Sequence, residues 1–217
     1  MSDRTGARGP YARGVARRQE IVHAALEVFA TRGYDAVSLR EIAAQVGLSH
    51  TGLRHHFASK EELLTAVLRY KDELTLTPDE QVDVSGIAWV RASRDVVALN
   101  ARQPLLIRLF ATLSVQATDP AHPAHTYFVE RYRIAREIAA GHLARARDDG
   151  DIAADVDAEH CAELMLAAMD GLQVQWLLEP DRVDMVAAYG QFLDRFLAVL
   201  AVPLPSGQRN GEAANGS

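Results

Sequence analysis

Three helix-opening serines, Ser38, Ser49 and Ser59, fall inside the run SLREIAAQVGLSHTGLRHHFASKEELL, and their spacing leaves room only for short helices between them. Ser38 with Glu41 three residues on forms a capping box, in which side chain and backbone at the two positions satisfy each other. The helix it opens has an apolar face of Leu39, Ile42, Ala43 and Val46. Gly47 ends it, and Ser49 is placed to cap a third helix running to about His56. Phe57 follows as an apolar anchor, and Ser59 with Glu62 repeats the capping pattern ahead of Leu63, Leu64, Val67 and Leu68. Two short helices across a tight glycine turn form a helix-turn-helix, with Ile42, Val46, Leu48, Leu53 and Phe57 as its small core.

The flanking sequence is helical too. Ile21, Val22, Ala25, Leu26 and Phe29 recur at helical spacing, which predicts a first helix over Val15 to Arg32 closed by Gly33. After LTLTPDEQ, further helices are expected over Ile87 to Arg102, Pro104 to Thr118, Pro123 to Asp149, Asp157 to Leu178 and Arg182 to Leu200. Pro104, DPAHP, DDGD and LEPDR mark the breaks. No segment alternates for long enough to build a sheet, so the fold class is all-α with nine helices. The expected organisation is a disordered basic tail at 1–14, a helix-turn-helix domain at 15–60, a ligand-binding and dimerisation domain at 61–202 and a disordered tail at 203–217.

Charge is divided between the ends. Of the formal net charge of -6, residues 1–60 hold 9 Lys or Arg against 5 Asp or Glu, about +4, and the remainder carries about -10. A basic head on an acidic body points to a polyanion-binding module joined to a second domain. No apolar run approaches the roughly 20 residues of a membrane span, and the basic start has no apolar stretch behind it, so the expected compartment is the cytoplasm with no membrane partner. The single cysteine, Cys161, excludes an internal disulfide and reads as a small buried residue. His50, His55 and His56 invite a metal, but steps of five and six residues turn through about 500° and 600°, so they do not share a helical face. His122 and His125 flank Pro123 without a nearby carboxylate motif. With no phosphate-cradling glycine loop and no nucleophile elbow, neither an enzyme, a cofactor nor a metal site is expected.

The stretch IVHAALEVFATRGYDAVSLREIAAQVGLSHTGLRHHFASKEELLTAVL resembles the tetracycline-repressor (TetR) family of transcription regulators. The likeness lies in Phe-Ala-x-x-Gly-Tyr, in Ala-Ala-x-Val-Gly-Leu-Ser and in His-Phe-x-Ser-Lys-Glu, while DGLQVQWLLEP is similar to the penultimate helix of many members. The resemblance implies a dimer whose ligand-binding body sets the spacing of two DNA-reading heads. A recognition helix presents its amino-terminal residues to base edges. His50 and Thr51, behind the N-cap Ser49, offer hydrogen-bonding groups there, and Gly52 lets the backbone approach the groove. Ser38, Arg54, His55 and Lys60 sit where side chains meet phosphates, Lys60 beside the amino end of the fourth helix, and Arg17 and Arg18 add nonspecific attraction. Two positions depart from the family: Arg54 stands where many members have Tyr, and Gly52 where a bulkier residue is common, so base reading rests on His50 and Thr51.

In the body, the segment from Cys161 to Leu178 is apolar nearly all round, which requires burial on every face. Val183, Val186, Tyr189, Phe192, Leu193, Phe196 and Leu197 give the last helix a similarly wide stripe. A homodimer seam of these two helices from each chain is expected, with Leu172, Trp176, Val186, Tyr189, Phe192 and Phe196 at its centre. By resemblance the body also holds a pocket, for which Trp89, Asn100, Phe110, Ser114, Tyr127, Met165, Met169 and Gln173 offer aromatic walls and polar hooks. These residues fit a small, mostly apolar or aromatic effector that releases the dimer from a palindromic operator in double-stranded DNA. Two other readings stay open: a regulator with no small-molecule effector, and a helical enzyme or binding module that kept the head as a packing element.

Overall fold

In the computed structural model, which describes residues 10–76 and 86–201, side-chain caps open α-helices at Ser38, Ser49, Asp157 and Asp184. Nine helices and no strand occur among the described residues: α1 (Pro10–Arg32), α2 (Leu39–Gln45), α3 (His50–Arg54), α4 (Lys60–Leu76), α5 (Gly86–Ala101), α6 (Pro104–Gln116), α7 (His125–Asp148), α8 (Ala158–Leu178) and α9 (Met185–Leu200). No single helix among them is long and apolar enough to cross a membrane.

The helix α1 starts earlier than the apolar periodicity indicated. Pro10 stands in its first turn, where a missing N–H breaks no hydrogen bond, so residues 10–14 are helical rather than tail. Residues 1–9 and 203–217, expected as disordered tails, lie outside the described residues. At the other end Gly33 takes φ +83°, and its N–H returns to the Phe29 carbonyl at 3.0 Å. The helix α7 starts at His125, after a turn in which the Asp119 carboxylate accepts the Ala121 N–H at 2.9 Å. The last helix likewise begins only after Asp184, whose carboxylate accepts the N–H groups of Val186 and Ala187 at 3.1 and 3.0 Å.

The described residues divide into two compact units. The first, within Met1–Val82 and Leu99–Arg131, holds α1 to α4, α6 and the opening turns of α7. Here α1 packs on α2, α4 and α6, and its core includes Ile21, Ala25, Phe29, Leu64, Ile107 and Phe110. Fully burying each large apolar side chain contributes about 1.5–3 kcal/mol, which is what holds so short a pair as α2 and α3 in place. The second, within Asp83–Ala98 and Tyr132–Ser217, holds most of α5 and α7 with α8 packed on α9. Its core contains Val90, Leu143, Ala162, Met165, Met185, Tyr189 and Leu193. Cys161 is buried there, and burial pushes its thiol above the ordinary range. The helix α8 is not covered on every face within its own chain: Leu164 and Val174 are 44% exposed and Leu178 is 76% exposed. An all-apolar helix cannot wrap its whole surface with one neighbour, and α9 covers only one side.

Candidate nucleic-acid interface

The two short helices are locked from their ends. Ser38 accepts the Glu41 N–H at 3.3 Å while the Glu41 carboxylate accepts the Ser38 N–H at 2.8 Å, completing the capping box. Those contacts, the backbone N–H of Ser38 first and Arg32 second, hold the Glu41 carboxyl down at about 2. Gly47 takes φ +65°, a left-handed conformation, and the Leu48 N–H closes back on the Ala43 carbonyl at 2.8 Å. Ser49 then accepts the Gly52 N–H at 3.0 Å and starts α3. Beneath the turn, Ile42, Leu53 and Phe57 have no exposed surface, while Val46 and Leu48 are half-buried.

What this frame leaves outside is polar. Thr51, Arg54 and His55 are exposed and His50 is half-exposed, and none of the four makes a side-chain hydrogen bond or ion pair among the described residues. Thr51, in the first turn of α3, presents a hydroxyl and a methyl, the groups that meet base edges in a major groove. Arg54, in its last turn, presents an uncommitted guanidinium suited to a phosphate. Gly52 has a local reason as well: a Cβ there would stand 3.2 Å from the Ser49 hydroxyl oxygen and press on the N-cap.

Several of the expected phosphate contacts are otherwise engaged. Arg17 donates to the Val46 carbonyl at 2.5 Å and pairs with Glu20. Arg18 donates to the His56 carbonyl, pairs with Glu62 at 3.6 Å and lies 3.9 Å over the Phe57 ring. Both arginines therefore tie α1 to the carboxy-terminal ends of α2 and α3, where backbone carbonyls lack helical partners, rather than standing free as a nonspecific positive surface. The hydroxyls of Ser38 and Ser49 are likewise committed to their caps. At the start of α4, Ser59 accepts the Glu62 N–H at 3.1 Å and the Glu62 carboxylate accepts the Ala58 N–H at 2.8 Å. With Glu61 and Glu62 in its first turn, the amino end of α4 already holds carboxylates, which weakens it as a phosphate site. Lys60 keeps an accessible ammonium, held 4.1 Å over the Tyr34 ring and donating to the Asp35 carbonyl at 3.5 Å.

The expected pocket residues divide between the units, four in each. In the first, Asn100 and Phe110 are buried, and the Ser114 hydroxyl donates to the Ala111 carbonyl at 2.9 Å. Tyr127 donates to Asp72 at 2.5 Å and to the Leu68 carbonyl at 3.2 Å; burial and that carboxylate push its hydroxyl well above the ordinary tyrosine range. Asp72 also accepts from Arg131 at 2.8 Å. Phe110 has the Lys71 ammonium at 4.4 Å and the Arg131 guanidinium at 4.5 Å over its ring, with Phe128 edge-on at 4.9 Å. This charged cluster joins α4, α6 and α7 and was not foreseen, because its members lie far apart in the chain. In the second unit Trp89 stacks on His142 at 4.4 Å, with burial lowering the His142 value, while Met165 and Gln173 are buried and Met169 half-buried.

On α9, Ala188, Gln191, Phe192, Arg195, Phe196 and Val199 line an open groove of about 510 Å³. Phe192 and Phe196 are half-exposed, as are Leu172, Trp176 and Val186. Tyr189 does not join them. It has no exposed surface and its hydroxyl meets that of Ser93 at 3.1 Å, so it belongs to the core of its own chain.

Comparison with known proteins places both halves. Residues 21–67 match the family described as bacterial regulatory proteins, tetR family, and residues 90–201 match that described as BetI-type transcriptional repressor, C-terminal. The chain belongs to the TetR family of transcriptional regulators. It is 28% identical over 198 residues to the HTH-type transcriptional regulator TtgR of Pseudomonas putida, covering 84% of this chain and 90% of that one. It is 30% identical over 155 residues to the HTH-type transcriptional repressor AcnR of Corynebacterium efficiens, covering 71% and 78%. The fold is shared with SmeT in its complex with triclosan, at a TM-score of 0.71, 22% identity and coverage of 88% and 99%. A TetR transcription regulator from Haloarcula marismortui superposes with a TM-score of 0.73 at 18% identity, covering 86% and 98%. The match over 21–67 spans α2 and α3 with Ile42, Leu53 and Phe57 beneath them, so the exposed face of α3 lies within the segment that matches the tetR family.

Proposed function

We propose that this regulator acts as a homodimeric repressor that holds a palindromic operator with α3 of each head and leaves it when a small molecule binds the body. The observation that carries this reading is the face of α3, where His50, Thr51, Arg54 and His55 are free of partners among the described residues while Arg17 and Arg18 of α1 are spent inside the head. In this reading His50 and Thr51 read bases, and Arg54, His55 and Lys60 position the head on phosphates. The open apolar groove on α9, with exposed Val174 and Leu178 on α8, supports a seam between two copies formed by these helices. Two-fold symmetric heads call for half-sites one helical turn apart, roughly 34–36 Å.

Release follows from differential affinity: an effector that binds only the form whose heads no longer match successive grooves draws the population to it. Moving the equilibrium from 1:99 to 99:1 takes about 10⁴-fold preference. Structural neighbours support a small-molecule effector, since SmeT has been seen with triclosan and a regulator from Saccharomonospora viridis with choline. The cluster of Lys71, Asp72, Tyr127 and Arg131 around Phe110 supports a ligand that is small and largely apolar or aromatic and carries a polar group. Two measurements test the reading. Binding to duplex DNA should weaken steeply as salt rises, and sedimentation should give twice the chain mass; salt-independent binding or a concentration-independent monomer would refute the corresponding half.

A further inference from the structure

The loop between α6 and α7 meets the head at the ring of His122. Asp119 accepts the Ala121 N–H, the His122 N–H returns to the Asp119 carbonyl at 3.0 Å, and His125 Nδ1 meets the Ala117 carbonyl at 2.8 Å, so the loop braces itself. His122 projects from this frame. Its Nδ1 accepts the Ala124 N–H at 3.1 Å, which leaves the proton on Nε2, and Nε2 is buried with no hydrogen-bond partner among the described residues. Unpaired buried N–H groups are uncommon in folded proteins. The ring lies 6.1 Å from that of Tyr34, tilted at 59°, inside the range in which aromatic rings attract.

Tyr34 is the platform beneath Lys60. It is 5% exposed, walled by Phe29 on one side and His122 on another, and its hydroxyl stands 3.5 Å from Glu61. The Lys60 ammonium rests over its open face at 4.1 Å. A lysine stem has many rotamers, so a cation seated on a fixed ring reaches a phosphate with less freedom left to lose. We infer that His122 is a positioning residue for DNA binding: the α6–α7 loop, through the ring of His122, fixes Tyr34 and so sets where Lys60 presents its charge. The inference rests on Lys60 as a phosphate contact. It also gives the loop leading into α7 a route to the DNA-facing surface that does not pass through the length of α4.

The test measures affinity of the full chain for a random-sequence duplex with His122→Ala, His122→Asn, Lys60→Ala and the His122→Asn/Lys60→Ala pair. Asparagine keeps an oxygen for the Ala124 N–H and so keeps the loop's own brace, but removes the ring. Both His122 variants should weaken binding about three- to tenfold while the melting temperature of His122→Asn stays with that of the wild type, and the double variant should bind no more weakly than Lys60→Ala. Lys60→Ala alone should lower the salt slope by about one ion per head. Wild-type affinity in His122→Asn would overturn the inference by showing a purely structural loop residue, as would losses that multiply in the double variant. An unchanged salt slope in Lys60→Ala would instead remove Lys60 from the phosphate contacts, and the inference with it. Absence of salt-dependent binding by the wild type would fail the DNA-binding reading itself.

Discussion

Removing Arg54 separates DNA contact from head stability more cleanly than any other change. Its side chain is exposed and makes no hydrogen bond or ion pair among the described residues, so Arg54→Ala should alter the unfolding free energy by no more than about 0.5 kcal/mol. The DNA term is larger. One lost phosphate contact lowers the salt exponent by about 0.9, which at 0.1 M salt corresponds to about eightfold weaker binding per head, or about 1.2 kcal/mol. At 0.4 M the same contact is worth only about twofold. For a dimer engaging both heads the factors multiply, to about sixtyfold at the lower salt. Fluorescence anisotropy of a labelled duplex titrated across this salt range, beside thermal melting of the free protein, measures both terms. A loss that stays constant with salt, or a parallel fall in melting temperature, would refute the assignment of Arg54 to a phosphate.

Three further outcomes follow from the head and the charged cluster. Gly47→Ala should cost about 1–2 kcal/mol, because φ at this turn is +65° while the space around a new Cβ is open; an unchanged melting temperature would contradict a conformational cause. The Glu41 carboxyl sits at about 2 in the folded head against an ordinary 4.5, so its contribution is complete above about pH 4.5 and is lost as pH falls toward 2. Glu41→Gln, which keeps an acceptor for the Ser38 N–H, should flatten the stability of the head over that interval, and identical acid titrations would argue against it. Asp72→Ala should destabilise by on the order of 3 kcal/mol, since it strips both Tyr127 and the 12%-exposed Arg131 of their shared carboxylate; a change within 0.5 kcal/mol, on the order of a surface substitution, would show the pair to be dispensable.

Local signals carried most of the head. Ser38 with Glu41, Ser49, Gly33 and Gly47 are capping groups whose partners lie within four residues, so the carboxy-terminal end of α1, both ends of α2 and the start of α3 could be read directly, as could Ile42, Leu53 and Phe57 as core. The uses of Arg17 and Arg18 could not, because their carbonyl partners lie 29 and 38 positions away and only the packed structure brings them together. Distance along the chain hid the Asp72 cluster in the same way: Tyr127 and Arg131 are 55 and 59 positions from it. On α9 the apolar stripe was plain, but a wide stripe does not say which edge faces inward. The Ser93 hydroxyl, 96 positions away, decides it for Tyr189.

Selection of bound sites from a random duplex library, using the wild-type protein and Thr51→Ala at fixed salt, probes most directly whether two copies of α3 read DNA. An inverted repeat with half-sites about one helical turn apart is expected, with base preference changed in Thr51→Ala at one symmetric pair of positions. Recovery of no enriched sequence, of a motif without two-fold symmetry, or of the same motif with both proteins would contradict base reading by the amino end of α3 in a symmetric dimer.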